Sequence, residues 1–255
     1  MDFLAAADTD IGNTRKTNQD SVSVIVADTS IGPVALGIMC DGMGGLAKGE
    51  MASATMINAM ISWFKNEFPK LVQNGINDSV IREQWTNIIK SQNELIKAFG
   101  IQNGINLGTT VSAILLTQQR YYIVNVGDSR VYEIYDNVKQ LTEDQTVVAR
   151  ELKYGKISEE QAKSDPRNSV LLQCVGASQH VNPDFFFGTT IQNATYMLCS
   201  DGFRHTITND EIYQNFAPVA LTDVNTMSVR IRNLIEINKQ RMEKDNITAA
   251  LIRTF

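Results

Sequence analysis

Four aspartates stand beside apolar, strand-like runs, in the turns Cys40-Asp41-Gly42, Gly127-Asp128-Ser129, Ser200-Asp201-Gly202 and Lys244-Asp245-Asn246. If these strand ends lie side by side, their carboxylates meet in a small space, and like charges that close need a compensating cation. Oxygen ligands without histidine or cysteine select Mg²⁺, Mn²⁺ or Ca²⁺ over zinc or copper. Two such ions can hold a phosphoryl oxygen and produce a hydroxide near neutral pH. The pattern predicts a hard-cation site, but it does not name a reaction.

A structural explanation for the same pattern stays open at this point. Aspartate favours turns after strands because its side chain hydrogen-bonds to the nearby backbone. That explanation suffices for one Asp-Gly pair. Four aspartates in similar strand contexts favour the metal site over it.

Other catalytic chemistries have little support in the sequence. Only His180 and His205 occur, which argues against a histidine-rich zinc or di-iron hydrolase. Ser129 and Ser200 lack an obvious base, so neither is expected to be a nucleophile. His205 is expected to be a surface or loop residue.

Two further motifs are given structural interpretations. The glycines after Asp41 are not followed by Lys-Ser/Thr, which rejects a nucleotide P-loop. Cys40 and Cys199 are expected to pack inside buried strands rather than to act in redox control.

The elements that must position these aspartates follow from the apolar periodicity. Helices are predicted at Glu50–Phe64, Asp78–Phe99 and Asp223–Lys239. Val170–Val175 is predicted to be a short helix or a strand. Strands are predicted at Ser21–Val26, Val34–Cys40, Thr110–Leu116, Tyr121–Val126, Val131–Tyr135, Val138–Leu141, Tyr196–Cys199 and Ile247–Ile252. Strands come in adjacent runs and long helices in pairs, which is typical of an α+β fold with mainly antiparallel sheets. With no linker or repeat, residues 1–255 are expected to form a single domain.

Composition limits the partners. The net charge is −5 and no Lys/Arg cluster occurs, which argues against nucleic acid. No apolar stretch approaches the roughly 20 residues that span a bilayer, and Met1–Asp8 does not resemble a signal peptide. The three cysteines are far apart and suggest reduced thiols. We expect a cytoplasmic protein that binds no nucleic acid or membrane.

The motifs around the aspartates resemble those of the bacterial metal-dependent protein phosphatases of the protein phosphatase 2C type. They follow the family's order along nearly the whole chain: Gly12-Asn13-Thr14-Arg15 with Asn18-Gln19-Asp20, Asp41-Gly42-Met43-Gly44-Gly45 with Gly49-Glu50-Met51-Ala52-Ser53, Gly108-Thr109-Thr110, Val126–Tyr132, Leu141-Thr142-Glu143-Asp144, Ser200-Asp201-Gly202 and Asp245-Asn246-Ile247-Thr248. A lone Ser-Asp-Gly would mean little, whereas an ordered set is specific.

This resemblance implies a four-layer α-β-β-α sandwich of two packed antiparallel sheets, with a flap-like segment at about 142–170. It implies two or three Mg²⁺ or Mn²⁺ ions. Asp41 would bridge two of them, with the Gly42 carbonyl on one and Asp201 and Asp245 completing the other. Asp128 with Asp201 would hold a third, weaker ion.

Two more residues join the implied site. Asp20 would act mainly through metal-bound water, and Arg15 would clamp the substrate phosphate, since a guanidinium binds phosphate bidentately and stays charged. In the implied reaction a metal-bridging water attacks phosphorus directly, with no covalent phosphoenzyme.

Some positions depart from the family's fuller pattern. Met43 stands where animal members carry a histidine proposed as general acid, so the proton donor to the leaving group is unidentified; a water on the third ion is one candidate. Gln19 stands where many members have glutamate. Gln145 and Asp165-Pro166 replace frequent histidine-containing sequences in or near the flap, where they are expected to affect substrate choice.

The implied activity is hydrolysis of phosphoserine and phosphothreonine in proteins by a monomer that opposes a bacterial Ser/Thr kinase. Two alternatives stay open. In the first alternative, the chain is a pseudo-enzyme that uses the same fold to bind phosphoproteins, although the retained Asp41, Asp201 and Asp245 argue against this. A metal-dependent phosphohydrolase acting on small metabolites would need the same active-site residues.

Overall fold

The computed structural model describes residues 1–44 and 48–255. The strands are β1 (Phe3–Asp10), β2 (Asp20–Thr29), β3 (Gly32–Gly44), β4 (Leu107–Thr109), β5 (Val111–Leu116), β6 (Arg120–Val126), β7 (Arg130–Ile134), β8 (Val138–Gln140), β9 (Asp184–Thr189), β10 (Thr195–Cys199) and β11 (Ile247–Thr254). The α-helices are α1 (Gly49–Asn66), α2 (Phe68–Asn74), α3 (Asp78–Asn103), α4 (Val147–Lys153), α5 (Glu159–Ser164), α6 (Asp201–Arg204), α7 (Asn209–Phe216) and α8 (Val224–Gln240).

The strands form two antiparallel sheets. One has the order β1-β11-β10-β7-β8, and the other has the order β2-β3-β5-β6-β9, with β4 paired to the far end of β3. The central strands β5, β10 and β11 are mostly apolar and buried along their whole length, which suits a pleated surface covered on both faces.

Three buried clusters stack into layers. One cluster joins the two sheets face to face, and it includes Met39, Ile123 and Ile252. A second packs α1, α2 and α3 on the sheet that begins with β2, and a third packs α7 and α8 on the other sheet. The predicted four-layer α-β-β-α sandwich is therefore confirmed.

The long helices begin and end at recognisable residues. The Asn77 side chain caps α3 by accepting a hydrogen bond from the Ser79 backbone at 2.8 Å. Gly104 closes α3 in the left-handed conformation at φ 64°, where glycine carries little strain. Asp223 caps α8 in the same way as Asn77 caps α3, through the Thr226 backbone at 2.9 Å.

Most predicted elements are confirmed within a few residues, and three expectations are wrong or incomplete. Val170–Val175 is neither helix nor strand, because it joins other segments only through single bridges at Leu171 and Val175. Strands β1 and β9 had no sequence prediction. Both stand at sheet edges, where the alternation of buried and exposed residues is weak.

The pattern predicts that all four aspartates stand in turns beside strands, and for two of them this is wrong. Strand β3 continues through Asp41 to Gly44, since Gly42 and Gly44 allow it to leave β5 and pair with β4. Asp201 is the first residue of α6. Asp128 and Asp245 lie outside regular elements, as expected.

Candidate metal centre

The five candidate aspartates collect at one end of the sandwich. Asp20 and Asp41 are direct cross-strand partners on β2 and β3. Asp128 follows β6, whose last residue pairs with the first residue of β5, next to the Asp41 backbone. Asp201 follows β10 and Asp245 precedes β11, and these strands are antiparallel neighbours. Five strands of the two sheets thus bring five carboxylates to one edge of the sandwich.

Asp41 is the centre of this group. Its backbone nitrogen donates to Thr110 Oγ1 at 2.9 Å, and its carbonyl accepts from the Thr110 nitrogen at 2.8 Å. Burial raises the pKa of the Asp41 carboxyl well above its usual value, and repulsion from the four other aspartates raises it further. A carboxyl group in such a field favours a bound cation, which would offset the repulsion.

Asp20 is held by the neighbouring strand. Its Oδ2 accepts a hydrogen bond from Thr248 Oγ1 at 2.5 Å, while Thr248 also contacts Thr9 Oγ1 at 2.7 Å. Burial raises the pKa of Asp20 to about 7, with hydrogen bonds opposing that shift and charge repulsion adding to it. This hydrogen bond orients one carboxylate oxygen, which suits the water-mediated role implied for Asp20.

Asp201 carries an unsatisfied oxygen. The residue is buried, and its Oδ1 has no hydrogen-bond partner in the described structure. Its Oδ2 lies 3.5 Å from His205 Nε2. A buried carboxylate oxygen without a donor is costly unless a cation approaches it, so the side chain fits a metal-ligand role.

Asp245 is paired with Arg15. The guanidinium donates to both carboxylate oxygens, at 2.9 Å to Oδ1 and 2.6 Å to Oδ2. This hydrogen-bonded pair, followed by the charges of Asp41 and Asp201, raises the pKa of Arg15, although partial burial opposes the shift. The predicted phosphate clamp is therefore brought directly to the carboxylate group.

The loop that carries Arg15 is tied down at several points. Asn246 Nδ2 donates to the carbonyls of Ile11 and Thr17, at 3.0 and 3.2 Å. Gly12 has φ 74°, and a Cβ atom there would lie 2.4 Å from the Asp245 carbonyl. Only glycine permits this close approach, so the Gly-Asn-Thr-Arg motif has a direct structural reason.

Gly42 is pressed between two backbones. A Cβ atom at this position would lie 2.3 Å from the Gly49 carbonyl and 2.5 Å from the Gln19 carbonyl. Its nitrogen donates to Gln19 at 3.1 Å. The required glycine keeps the backbone after Asp41 close to the start of α1, where a carbonyl ligand is predicted.

Asp128 is surrounded differently from the other aspartates. Arg204 Nη2 lies 3.3 Å from Asp128 Oδ2 and donates to the Asp128 carbonyl at 3.3 Å. Burial, followed by repulsion from Asp201, raises the pKa of Asp128 to about 7, and Arg204 offsets part of that shift. Asp128 thus has a protein cation as its partner.

The donor set fits hard divalent cations, but its present arrangement does not itself form a coordination shell. Within residues 1–44 and 48–255, no three His, Cys, Asp or Glu side chains are close enough to hold one ion. Several carboxylates instead face protein donors, namely Arg15, Thr248 and Arg204. The raised pKa values and the unsatisfied Asp201 oxygen support the fit. The ligand roles stay predictions.

The sequence did not indicate that Arg204 and Glu243 lie beside the aspartate group, nor that the side chain of Gln145 is buried against the turn before Asp128. Glu243 Oε2 lies 3.4 Å from His205 Nδ1, which places the ring between Glu243 and Asp201. His205 is exposed and follows α6, which agrees with the predicted loop position. Arg204 comes three residues after Asp201, a spacing that could have drawn attention to it.

The positions that depart from the family pattern have separate environments. Gln145 is buried and accepts from the Gly127 nitrogen at 2.9 Å, so it supports the turn before Asp128. Asp165 pairs with Arg167 at 2.7 Å within its own loop. Cys40 and Cys199 are fully buried and unpaired, which confirms the prediction that they pack inside strands. None of the helices in the described ranges is long and apolar enough to cross a membrane.

Comparisons with known proteins agree with the motifs. Residues 13–231 match the family described as Protein phosphatase 2C. A "putative protein phosphatase 2C-type" of Streptococcus pyogenes is 33% identical over 248 residues, covering 96% of this chain and 94% of the relative. The S. agalactiae serine/threonine phosphatase superposes with a TM-score of 0.84 at 28% identity, covering 99% of this chain and 100% of its own.

A third similar protein carries metal. The catalytic domain of the serine/threonine protein phosphatase PstP, solved in complex with two manganese ions, superposes with a TM-score of 0.77 at 26% identity. The match covers 98% of this chain and 97% of that one.

Proposed function

This chain belongs to the protein phosphatase 2C family, and we propose that it is a serine/threonine protein phosphatase that depends on Mg²⁺ or Mn²⁺. One observation carries the proposal: the sheets gather five aspartates around Asp41, with Arg15 on their exposed side. Acidic groups that repel one another so strongly are adapted to bind cations.

The residues would divide the work among themselves. Asp41 would bridge two ions, the Gly42 carbonyl would contact one of them, and Asp201 and Asp245 would complete the other. Asp20 would orient water through the oxygen that Thr248 leaves free. When bound, the ions would supply the nucleophile by lowering the pKa of a water.

Arg15 would bind and orient the substrate phosphate. Its exposed guanidinium pairs with Asp245 bidentately, and the same fork geometry matches two phosphate oxygens. Arg15 would turn from Asp245 toward the substrate once Asp245 serves as a metal ligand. It would stabilise the charge on the phosphoryl group during direct attack at phosphorus. No covalent phosphoenzyme forms in this scheme.

The substrates would be phosphoserine and phosphothreonine proteins, including targets of a bacterial Ser/Thr kinase. We also propose that the chain acts as a cytoplasmic monomer and a single domain. The segment 142–170, which contains α4 and α5, would serve as a flap that affects substrate choice.

A metal-dependent assay tests this function. The purified protein should hydrolyse p-nitrophenyl phosphate and a phosphothreonine peptide with Mn²⁺ or Mg²⁺, and lose both activities with a chelator. Activity that survives chelation would overturn the proposal. Phosphopeptide binding without turnover in Mn²⁺ would indicate a pseudo-enzyme, and turnover of small phosphate esters alone would indicate a metabolite phosphatase.

A further inference from the structure

Arg204 lies beside Asp128, one of the two residues expected to hold a third, weaker ion. That ion was assigned to Asp128 together with Asp201. Arg204 Nη2 contacts Asp128 twice, at 3.3 Å from Oδ2 and 3.3 Å from the carbonyl oxygen. The same nitrogen lies 3.6 Å from Asp144 Oδ2. A side-chain cation therefore already faces the carboxylate that the ion would need.

Burial fixes this arginine in place. The Arg204 side chain is 14% exposed and that of Asp128 is 6% exposed. The Nε of Arg204 is buried and has no hydrogen-bond partner in the described ranges, so at least this end of the guanidinium is withdrawn from water. To admit an ion at Asp128, Arg204 would have to leave Asp128 and Asp144 and find new partners. Separating such a buried pair is strongly unfavourable.

The charge of Arg204 is not needed elsewhere. The neighbouring Asp144 already has a bidentate partner, because Arg130 donates to both of its oxygens at 2.8 and 2.6 Å. The charge of Arg204 is thus available to Asp128. It offsets one of the five negative charges in the aspartate group, and the remaining four match two divalent ions.

We propose that Arg204 replaces the third metal ion, so that this chain binds two divalent ions and keeps Asp128 as the fixed partner of an arginine. The inference rests on the proposed two-ion function, and it concerns only what stands beside Asp128. It also removes a water on the third ion as a candidate proton donor to the leaving group.

Ion counting tests the proposal without reference to activity. Equilibrium dialysis with Mn²⁺ from micromolar to millimolar concentrations should give two equivalents per chain for the wild type. Asp128→Asn should leave the count at two. Arg204→Met removes the charge at similar length, and it should add a third equivalent that binds at least about tenfold more tightly than any third ion on the wild type.

Two further variants make the result specific. Arg204→Lys keeps a positive charge and should bind two equivalents, and the double variant Arg204→Met/Asp128→Asn should return to two. If Arg204→Met does not fold, as a thermal melt would show, the wild type and Asp128→Asn still decide the matter. Three equivalents on the wild type and two on Asp128→Asn would overturn the inference alone. A wild type that binds no Mn²⁺ would overturn the proposed function together with it.

Discussion

Two arginine–aspartate pairs in this molecule have similar chemistry and opposite surroundings. Arg15 meets Asp245 at 2.6 Å, with side chains that are 49% and 28% exposed. Arg204 meets Asp128 at 3.3 Å, with side chains that are 14% and 6% exposed. The first arginine lies on a loop between β1 and β2, and the second ends helix α6.

The difference separates a releasable cation from a fixed one. Water screens the exposed pair, so Arg15 loses little when it gives Asp245 to an ion and turns to a phosphate. The buried pair cannot part so easily, since each separated charge would remain desolvated. Burial, more than distance, decides which arginine can serve the substrate.

The largest predicted effect on activity is that of replacing Asp41, the centre of the aspartate group to which both pairs belong. Asp41→Asn should lower phosphatase activity by at least about 10³-fold, because the loss of an outer contact to a metal ligand already costs 10–100-fold. The measurement is kcat/KM for a phosphothreonine peptide at saturating Mn²⁺. If the variant keeps wild-type activity, Asp41 does not bridge ions, and the two arginine–aspartate pairs cannot be compared as parts of a metal site.

A stability measurement distinguishes this effect from misfolding. Without metal, Asp41→Asn should melt at or above the wild-type temperature at pH 8, since it removes a buried acidic group whose charged form four aspartates repel. A much lower melting temperature would attribute the lost activity to the fold.

The next prediction concerns the exposed pair directly. Arg15→Ala should lower kcat/KM by roughly 10²-fold, the loss typical of removing one donor to a developing negative charge. Its Mn²⁺ count should stay at two, in contrast to the gain expected for Arg204→Met. Arg120→Ala is a matched control, because Arg120 pairs with Asp78 at 2.6 Å with similar exposure. An effect of Arg15→Ala no larger than that of Arg120→Ala would contradict the clamp.

A smaller effect should appear in the pH dependence of the metal-free protein. Folding raises the pKa of Asp20 from 3.8 to about 7, so between these values the folded chain binds more protons than the unfolded one. This contribution is fully present below pH 3.8 and is lost as the pH rises through 7. The melting temperature should therefore be higher at pH 5 than at pH 8, by roughly 5 °C or more.

Control variants test whether the change of melting temperature with pH comes from the buried carboxyl groups. Asp20→Asn should flatten it, while Asp28→Asn on the exposed part of β2 should not change it. Saturating Mn²⁺ should reverse the trend, because metal binding requires deprotonated carboxylates. A metal-free protein that is more stable at pH 8 would contradict the raised pKa values.

The sequence was informative where a residue's chemistry and its local pattern agree. The aspartates, Arg15 and the glycines could be found because each needs one residue type at one position. The central strands could be found because their apolar runs are continuous. The edge strands β1 and β9 could not, since their burial depends on neighbours far along the chain.

Contacts between distant segments account for the rest. Arg204 pairs with Asp128, 76 positions away, so its spacing from Asp201 could place it near the site but could not identify this partner. The contacts of Gln145 are a second example, because its side chain lies among the Gly127 turn, Gln173 and Asp184, which only the folded chain brings together. The predicted effect of Gln145 on substrate choice stays a prediction.

The smallest predicted effect asks whether Arg204 alone is enough to hold Asp128. Gln145 accepts from the Gly127 nitrogen at 2.9 Å and donates to Asp184 Oδ2 at 2.7 Å. Gln145→Ala leaves buried polar groups unsatisfied, so it should destabilise the fold by about 1–3 kcal/mol. Activity should fall less than about tenfold, since Arg204 still fixes the carboxylate.

The control for this variant is Gln118→Ala, at the opposite end of β6. Gln118 Nε2 donates to the carbonyls of Met1 and Pro33, both at 2.8 Å, so its loss should also destabilise the fold. Activity at a temperature where both variants are folded should then be close to wild type for Gln118→Ala and moderately reduced for Gln145→Ala. A loss of 10²-fold or more in Gln145→Ala would mean that the turn holds Asp128 more strongly than the buried arginine does. Burial of the Arg204–Asp128 pair would then not be enough to fix Asp128, and the contrast with the exposed Arg15–Asp245 pair would be weaker.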